Sequence, residues 1–141
     1  NQTGVKIMTT GCSMGASHAA NFFFRRPDVF DTVIALSGYY SSDMFFNNYM
    51  DDLVYANSPL HYLEGMSYDH PHVQKYRESN IIICTGQGAW EDDMIRSTTR
   101  LKELLEYKDV GAWIDFWGYD VNHDWPWWRI QFPYFLEKVL G

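Results

Sequence analysis

Short apolar runs alternate with stretches of helical periodicity along the chain. The apolar runs predict strands over residues 5–8, 32–36, 81–84 and 112–117. Uninterrupted apolar runs are typical of strands covered on both faces of a parallel sheet. Further segments, in which apolar positions recur at helical spacing, predict helices over residues 14–26, 95–105 and 125–140. This alternation predicts an α/β fold with a mostly parallel sheet covered by helices.

The least regular part of the chain lies between the second and third predicted strands, at about residues 39–80. Asp43 begins a short apolar helix pattern, and Ser58-Pro59 is typical of a helix start. A connection this long usually has a function, often as a lid or pocket wall. A length of 141 residues fits one domain. We therefore interpret residues 39–80 as a pocket- or lid-like insert in a single domain spanning residues 1–141.

The run Gly11-Cys12-Ser13-Met14-Gly15 stands between the first predicted strand and the first predicted helix. A glycine-flanked serine in this context has the G-x-S-x-G pattern of a nucleophile elbow, a sharp turn that lifts the serine hydroxyl above the sheet. Glycine on either side would keep Cβ atoms out of that turn. Ser13 is therefore the predicted nucleophile. The alternative is a tight turn whose serine only caps the helix.

Other reactive groups follow the third and fourth predicted strands. Glu91 and Asp92 come after the third strand, and His123 comes after the fourth. Sites in open α/β sheets form at the carboxyl ends of strands, so these groups and Ser13 should converge. Serine, acid and histidine occur in the chain order described for α/β-hydrolases. Serine would attack, histidine would carry the proton, and the carboxylate would orient the imidazole. The acids could instead only stabilise the start of a helix.

The remaining histidines and the cysteines give no sign of a metal or a cofactor. His18 falls within a predicted helix, while His70 and His72 lack a carboxylate or cysteine at ligand spacing. Cys12 and Cys84 are the only cysteines, too few for a disulfide framework, and we expect both to be buried free thiols. Free thiols fit a reducing compartment, so a cytoplasmic location is expected.

Composition narrows the classes of partner. A formal charge of −7 argues against nucleic acid and anionic membranes as partners. The chain has no apolar stretch of membrane-spanning length. Aromatic residues make up 18% of the chain, and six of them are tryptophans. Carbohydrate binding by these tryptophans is therefore an alternative function.

These motifs together resemble the Putative esterase family of α/β-hydrolases, which includes feruloyl and acetyl-xylan-type esterases and related acyltransferases. The resemblance covers essentially the whole chain and rests on three runs, Gly11–Gly15, Trp90-Glu91-Asp92 and His123-Asp124-Trp125. It implies a serine ester hydrolase that acts on a small-molecule ester through an acyl-enzyme and needs no cofactor. Spacing to the following helix favours Asp92 as the acid, with Glu91 as the alternative. The Met14 amide would bind the oxyanion, and Cys12, Trp90 and Trp125 are candidate pocket residues.

The resemblance also implies a missing portion. A complete α/β-hydrolase has several strands before its elbow, whereas this chain begins almost at the elbow strand. We therefore expect an α/β-hydrolase fold lacking its N-terminal strands, paired with a missing N-terminal half or with a second copy. The family's second oxyanion donor comes from an earlier loop that has no counterpart here. Two alternatives remain, an acyltransferase using the same residues and a non-catalytic module in which Ser13 and His123 lie too far apart to bond.

Overall fold

The strands of the computed structural model, which describes residues 5–141, form one parallel sheet in the order β1-β2-β3-β4. They are β1 (Met8–Cys12), β2 (Thr32–Leu36), β3 (Asn80–Thr85) and β4 (Trp113–Phe116). The helices are α1 (Met14–Arg25), α2 (Asp43–Phe46), α3 (Asp52–Ala56), α4 (Pro59–Gly65), α5 (Pro71–Arg77), α6 (Asp92–Tyr107) and α7 (Trp125–Leu140). The predicted α/β class and parallel sheet are confirmed.

The side chains of the central strands alternate between two cores. Val33 and Ile83 belong to the larger core, which α1, α4, α5 and α6 complete with residues such as Phe24, Tyr76 and Leu101. Their neighbours point to the other face and belong to a smaller core with α7, formed by Ile34, Leu36, Ile82, Cys84, Trp128 and Phe135. Every residue of β2 is buried, because helices cover both faces of this strand. This explains its uninterrupted apolar sequence.

Two boundaries differ from the sequence predictions. The first strand begins at Met8 rather than at residue 5, and it continues to Cys12, directly before Ser13. Pairing with β2 sets these limits, since Met8 lies opposite Thr32 and Cys12 opposite Leu36. Proline within a helix removes a backbone hydrogen bond, yet α7 continues through Pro133 as one helical segment.

The irregular segment at 39–80 contains four short helices, α2 to α5. Its role as a lid stays a prediction. Within residues 5–141, no helix is both long and apolar enough to cross a bilayer.

The register of the sheet brings three hydroxyl groups to one edge. Cys12 pairs with Leu36, and Leu36 pairs with Cys84. The next residue after each is Ser13, Ser37 or Thr85. The backbone ladder continues into this row, because the Ser13 amide donates to the Leu36 carbonyl at 2.9 Å and the Ser37 amide to the Cys84 carbonyl at 2.7 Å. The carboxyl edge of the sheet therefore carries a row of polar side chains from three strands.

Candidate active site

Ser13 occupies a strained turn between β1 and α1. Its backbone angles are φ 56° and ψ −124°, and a positive φ is unfavourable for a residue with a side chain. The Ser13 carbonyl accepts from the Ala16 amide at 3.0 Å, which fixes the turn to the first residues of α1. The side chain makes no capping hydrogen bond to the helix. The geometry is therefore that of a nucleophile elbow rather than of a simple helix cap.

The glycines flanking this turn are not equivalent. A Cβ atom at Gly11 would collide with the backbone carbonyl of Gly15. A Cβ atom at Gly15, in contrast, would meet no heavy atom within 4 Å. The expectation that both glycines keep the turn free of side chains is therefore correct for Gly11 only. The reason is that α1 folds back over Gly11 while Gly15 faces outward.

The Ser13 and His123 side chains meet across 110 positions of sequence. Ser13 Oγ lies 2.8 Å from His123 Nε2, within the range of about 2.6–3.2 Å required of a nucleophile and its base. The His123 side chain is largely buried, with 17% of its surface exposed. The indole of Trp128 packs edge-on against it, with ring centroids 5.0 Å apart. The imidazole is thus held against the serine on a mostly enclosed edge of the sheet.

Backbone hydrogen bonds join the loop that carries His123 to the loop that follows β3. The His123 amide donates to the Ala89 carbonyl at 3.0 Å, and the Gly88 amide donates to the Val121 carbonyl at 2.8 Å. A Cβ atom at Gly88 would lie 2.7 Å from the Val121 carbonyl oxygen, so the close approach needs glycine. These contacts fix the position of the histidine relative to the acidic residues after β3.

Of the two candidate acids, Glu91 faces the histidine. Glu91 Oε1 lies 3.5 Å from His123 Nδ1, and the Glu91 side chain is fully buried. Asp92 is exposed at the first position of α6. The choice of Asp92 from its spacing to the helix therefore disagrees with the geometry. The preceding residue, Trp90, has a φ of 68°, and this turn sends Glu91 inward and leaves Asp92 outside.

The distance of 3.5 Å between His123 Nδ1 and Glu91 Oε1 is longer than a normal hydrogen bond. His123 Nδ1 has no hydrogen-bond partner among the residues that the structure describes. Catalytic contacts of this kind are often long in the absence of substrate and tighten in its complex. The arrangement therefore allows a charge-assisted contact after a small rotation of either side chain.

Both carboxylate oxygens of Glu91 accept hydrogen bonds from hydroxyl groups that the sequence reasoning did not single out. Ser37 Oγ donates to Oε1 at 2.7 Å, and Thr85 Oγ1 donates to Oε2 at 2.9 Å. Hydrogen bonds to the charged form of a carboxylate stabilise it when it is buried. Thr85 is the last residue of β3, and Ser37 directly follows β2. Because sites in open α/β sheets form at the carboxyl ends of strands, both hydroxyls could have been predicted from the sequence by inspecting the end of every strand.

Met14 follows the serine as the first residue of α1. The first amides of a helix have no partner within it, and the helix dipole adds positive potential at this end. The Met14 amide is therefore available to a negatively charged oxygen at Ser13. Its role as oxyanion donor, and the source of a second donor, stay predictions.

The three candidate pocket residues are distributed differently from what the sequence indicated. Cys12 and Trp125 line the same cavity of about 420 Å³, between β1 and α7. Trp90 is 84% exposed at the tip of its loop. A separate cavity of about 360 Å³ has Met14 in its lining. Most of its walls come from the segment at 39–80, which the sequence indicated as a pocket- or lid-like insert without singling out any of its residues as a pocket candidate.

The remaining histidine, cysteine and acidic side chains provide neither a metal site nor a disulfide in the part of the chain that the structure describes. Within residues 5–141, no group of three or more His, Cys, Asp and Glu side chains is arranged to hold a metal ion. Cys12 and Cys84 are free thiols, but only Cys84 is buried as expected, whereas Cys12 is partly exposed. Burial raises the pKa of both thiols, which disfavours the thiolate form that would react.

Comparisons with known proteins identify a family and a shared fold. Residues 1–138 match the family described as Putative esterase. A ferulic acid esterase aligns with a TM-score of 0.66 and 21% identity, over 87% of this chain and 46% of that protein. The S-formylglutathione hydrolase from Staphylococcus aureus aligns with a TM-score of 0.60 and 18% identity, over 86% of this chain and 45% of the other.

A third solved structure, the fluorophosphonate-binding serine hydrolase F from Staphylococcus aureus, aligns with a TM-score of 0.71 and 14% identity, over 95% of this chain and 54% of that protein. The chain thus spans about half the length of the solved structures that it matches. At these identities the alignments establish a shared fold. No curated protein sequence matches the chain. Because the family match extends over nearly all of its residues, the chain belongs to the Putative esterase family.

Proposed function

We propose that the protein is a serine ester hydrolase in which Ser13 is the nucleophile, His123 the general base and acid, and Glu91 the residue that orients the imidazole. One observation carries the proposal. The hydroxyl of a strained serine lies 2.8 Å from His123 Nε2, while a buried carboxylate lies 3.5 Å behind the other ring nitrogen. A serine in this setting gains nucleophilicity because the imidazole accepts its proton as it attacks.

Acylation follows from this arrangement. Ser13 Oγ attacks the ester carbonyl carbon, and its proton passes to His123 Nε2. The carbonyl oxygen becomes an oxyanion, which the Met14 amide at the start of α1 stabilises. When the tetrahedral intermediate collapses, the ester C–O bond breaks and Nε2 returns the proton to the departing alcohol. Glu91 stabilises the imidazolium that exists between these proton transfers.

Deacylation repeats the steps with water in place of serine. His123 Nε2 removes a proton from water, the resulting hydroxide attacks the acyl carbon, and the proton then returns to Ser13 Oγ. An alcohol that enters instead of water would accept the acyl group, so the same residues could perform acyl transfer. Adding a primary alcohol to the assay and measuring the ester product separates the two reactions.

The experiment that tests the proposal is covalent labelling of the intact protein with a fluorophosphonate probe, followed by peptide mapping. We expect the label on Ser13, and we expect Ser13→Ala to abolish labelling and to lower ester turnover by about 10⁶-fold. Ser79→Ala is the matched control, since this serine precedes β3 at the opposite end of the sheet and bonds the Lys75 carbonyl. Labelling at another residue, or turnover that survives Ser13→Ala, would contradict the proposal.

A further inference from the structure

A cavity of about 360 Å³ begins beside the nucleophile and follows α1. Met14, Ser17 and Asn21 line it from that helix. Their spacing places them on one helix face, and from Met14 to Asn21 this face extends about 10 Å. Met14, the first of these lining residues, directly follows Ser13. The Ser17 hydroxyl also lies 3.4 Å from the Ser13 carbonyl oxygen, so this wall of the cavity contacts the turn that carries the serine.

The walls opposite α1 are mostly apolar. They include Tyr39 after β2, Phe45 and Phe46 of α2, and Val54 of α3. Phe45 and Phe46 are each about half exposed, at 50% and 51%, so large aromatic rings stand at the rim of the cavity. Exposed apolar side chains around a concave site are typical of ligand binding. The volume falls within the range of small-molecule pockets.

The far end of the cavity is polar. Asn21 and Asn57 both line the cavity, and Asn21 Nδ2 donates to Asn57 Oδ1 at 3.1 Å. The Tyr62 hydroxyl donates to Asn21 Oδ1 at 3.0 Å. These side chains bond one another and close this end of the cavity with polar groups, against which a hydrocarbon chain gains little from burial. The apolar part of the cavity therefore has a limited length.

The position of the cavity relative to Ser13 and His123 indicates whether it binds the acyl part or the alcohol part of an ester. The departing alcohol oxygen has to lie at His123 Nε2, because it takes its proton from that atom. The cavity is lined from the Met14 side of Ser13 and by the segment after β2, away from the histidine loop. The acyl group, which stays bonded to Ser13 Oγ, is the part of the substrate directed there.

We propose that this cavity is the acyl pocket and that it selects esters of medium-length aliphatic carboxylic acids over acetate esters. The proposal rests on the proposed function, because it needs an acyl-enzyme at Ser13. An acetyl group is too small to reach the aromatic walls, whereas a chain longer than the apolar part of the cavity would reach the asparagines. Activity should therefore rise from acetyl to about octanoyl and fall for longer chains.

The test uses p-nitrophenyl esters of increasing acyl length with the intact protein and two variants of α3. Val54→Phe fills the cavity, since Val54 lines it. Leu53→Phe adds a ring to the neighbouring residue, which is 74% exposed, and is the matched control. We expect Val54→Phe to lower kcat/KM for the octanoyl ester by at least about tenfold, the usual size of an effect of pocket volume. Val54→Phe should lower the ratio of octanoyl to acetyl kcat/KM by at least about fivefold, whereas Leu53→Phe should leave both esters within about twofold of the unaltered protein.

A second series keeps the acetyl group constant and varies the alcohol. The acyl assignment is overturned if Val54→Phe changes how kcat/KM depends on the alcohol rather than on the acyl length. It is overturned as well if Val54→Phe lowers acetyl and octanoyl turnover equally. It is also overturned if the octanoyl ester is unaffected. These results differ from failure of the proposed function, in which no ester is hydrolysed by the unaltered protein and Ser13 takes no fluorophosphonate label.

Discussion

The indole nitrogen of Trp128 donates a hydrogen bond to Ser37 Oγ at 3.2 Å, although the two residues are 91 positions apart in the chain. The same indole packs edge-on against the His123 ring, and Ser37 Oγ donates in turn to Glu91. One tryptophan of α7 therefore contacts the predicted base directly and supports the predicted acid through a serine. Both contacts are buried, so this side chain fixes the relative positions of Glu91 and His123.

Removing the Ser37 hydroxyl should slow catalysis without weakening substrate binding. In Ser37→Ala, Glu91 Oε1 loses its 2.7 Å donor, and hydrogen bonds to charged groups contribute about 1.5–3 kcal/mol. We expect kcat to fall about tenfold to a hundredfold, while KM changes less than threefold. Steady-state kinetics on a single ester measures both values.

The control for Ser37→Ala is Ser97→Ala, which removes another buried hydroxyl. Ser97 Oγ accepts from the Tyr40 amide at 2.7 Å and does not contact Glu91. Ser97→Ala should lower the free energy of unfolding by about 1 kcal/mol and Ser37→Ala by about 1.5–3 kcal/mol, but only Ser37→Ala should reduce kcat. An equal loss of kcat in the two variants would show that general destabilisation, rather than alignment of Glu91, is responsible.

Glu91 and Asp92 can be distinguished by removing each charge separately. Glu91→Gln removes the carboxylate that lies 3.5 Å from His123 Nδ1, and we expect kcat to fall by about 10³–10⁴-fold, as for the acid of other triads. Asp92→Asn changes an exposed helix-start residue and should lower kcat less than threefold. The reverse order of effects would restore Asp92 as the acid.

The flanking glycines of the elbow should respond oppositely to alanine. Gly11→Ala forces a methyl group against the Gly15 carbonyl, and such overpacking costs about 1–3 kcal/mol. Gly15→Ala adds a methyl group in open space within α1 and should stabilise the protein by about 0.5–1 kcal/mol, the helix propensity difference. Urea unfolding of the two variants measures these changes, and equal destabilisation by both would contradict the structure.

The cysteines should react slowly with alkylating reagents at neutral pH. Burial raises the pKa of the Cys12 and Cys84 thiols, so the thiolate fraction at a given pH lies below that of an unfolded chain. We expect iodoacetamide to modify both cysteines of the urea-unfolded protein much faster than those of the native protein. Mass spectrometry over time measures the rates. Rapid alkylation of Cys12 in the native protein would contradict a raised pKa of this thiol.

The fold class and the main chemical groups could be predicted from local pattern. Uninterrupted apolar runs such as residues 32–36 indicate a strand covered on both faces, because a strand with one solvent-exposed face would alternate polar and apolar residues. The glycine-flanked serine predicts a turn between strand and helix at Ser13. The positions of serine, acid and histidine after the first, third and fourth strands then place these groups at one edge of a parallel sheet.

The finer assignments depended on how distant segments pack. Glu91 and Asp92 are adjacent, and no local pattern states which of them turns inward. The left-handed turn at Trp90 and the hydroxyls of Ser37 and Thr85 make that choice. The requirement for glycine at position 11 alone likewise reflects how closely α1 returns to β1.

By itself, then, the sequence determined the α/β class, the elbow at Ser13 and the histidine that follows the last strand, because each of these is encoded in neighbouring residues. Only the tertiary structure decided which carboxylate faces His123 and which helix face lines a cavity beside Ser13. The physical reason is that these properties depend on side chains brought together from separate loops, where burial and hydrogen bonding, rather than sequence spacing, fix the direction in which each side chain points.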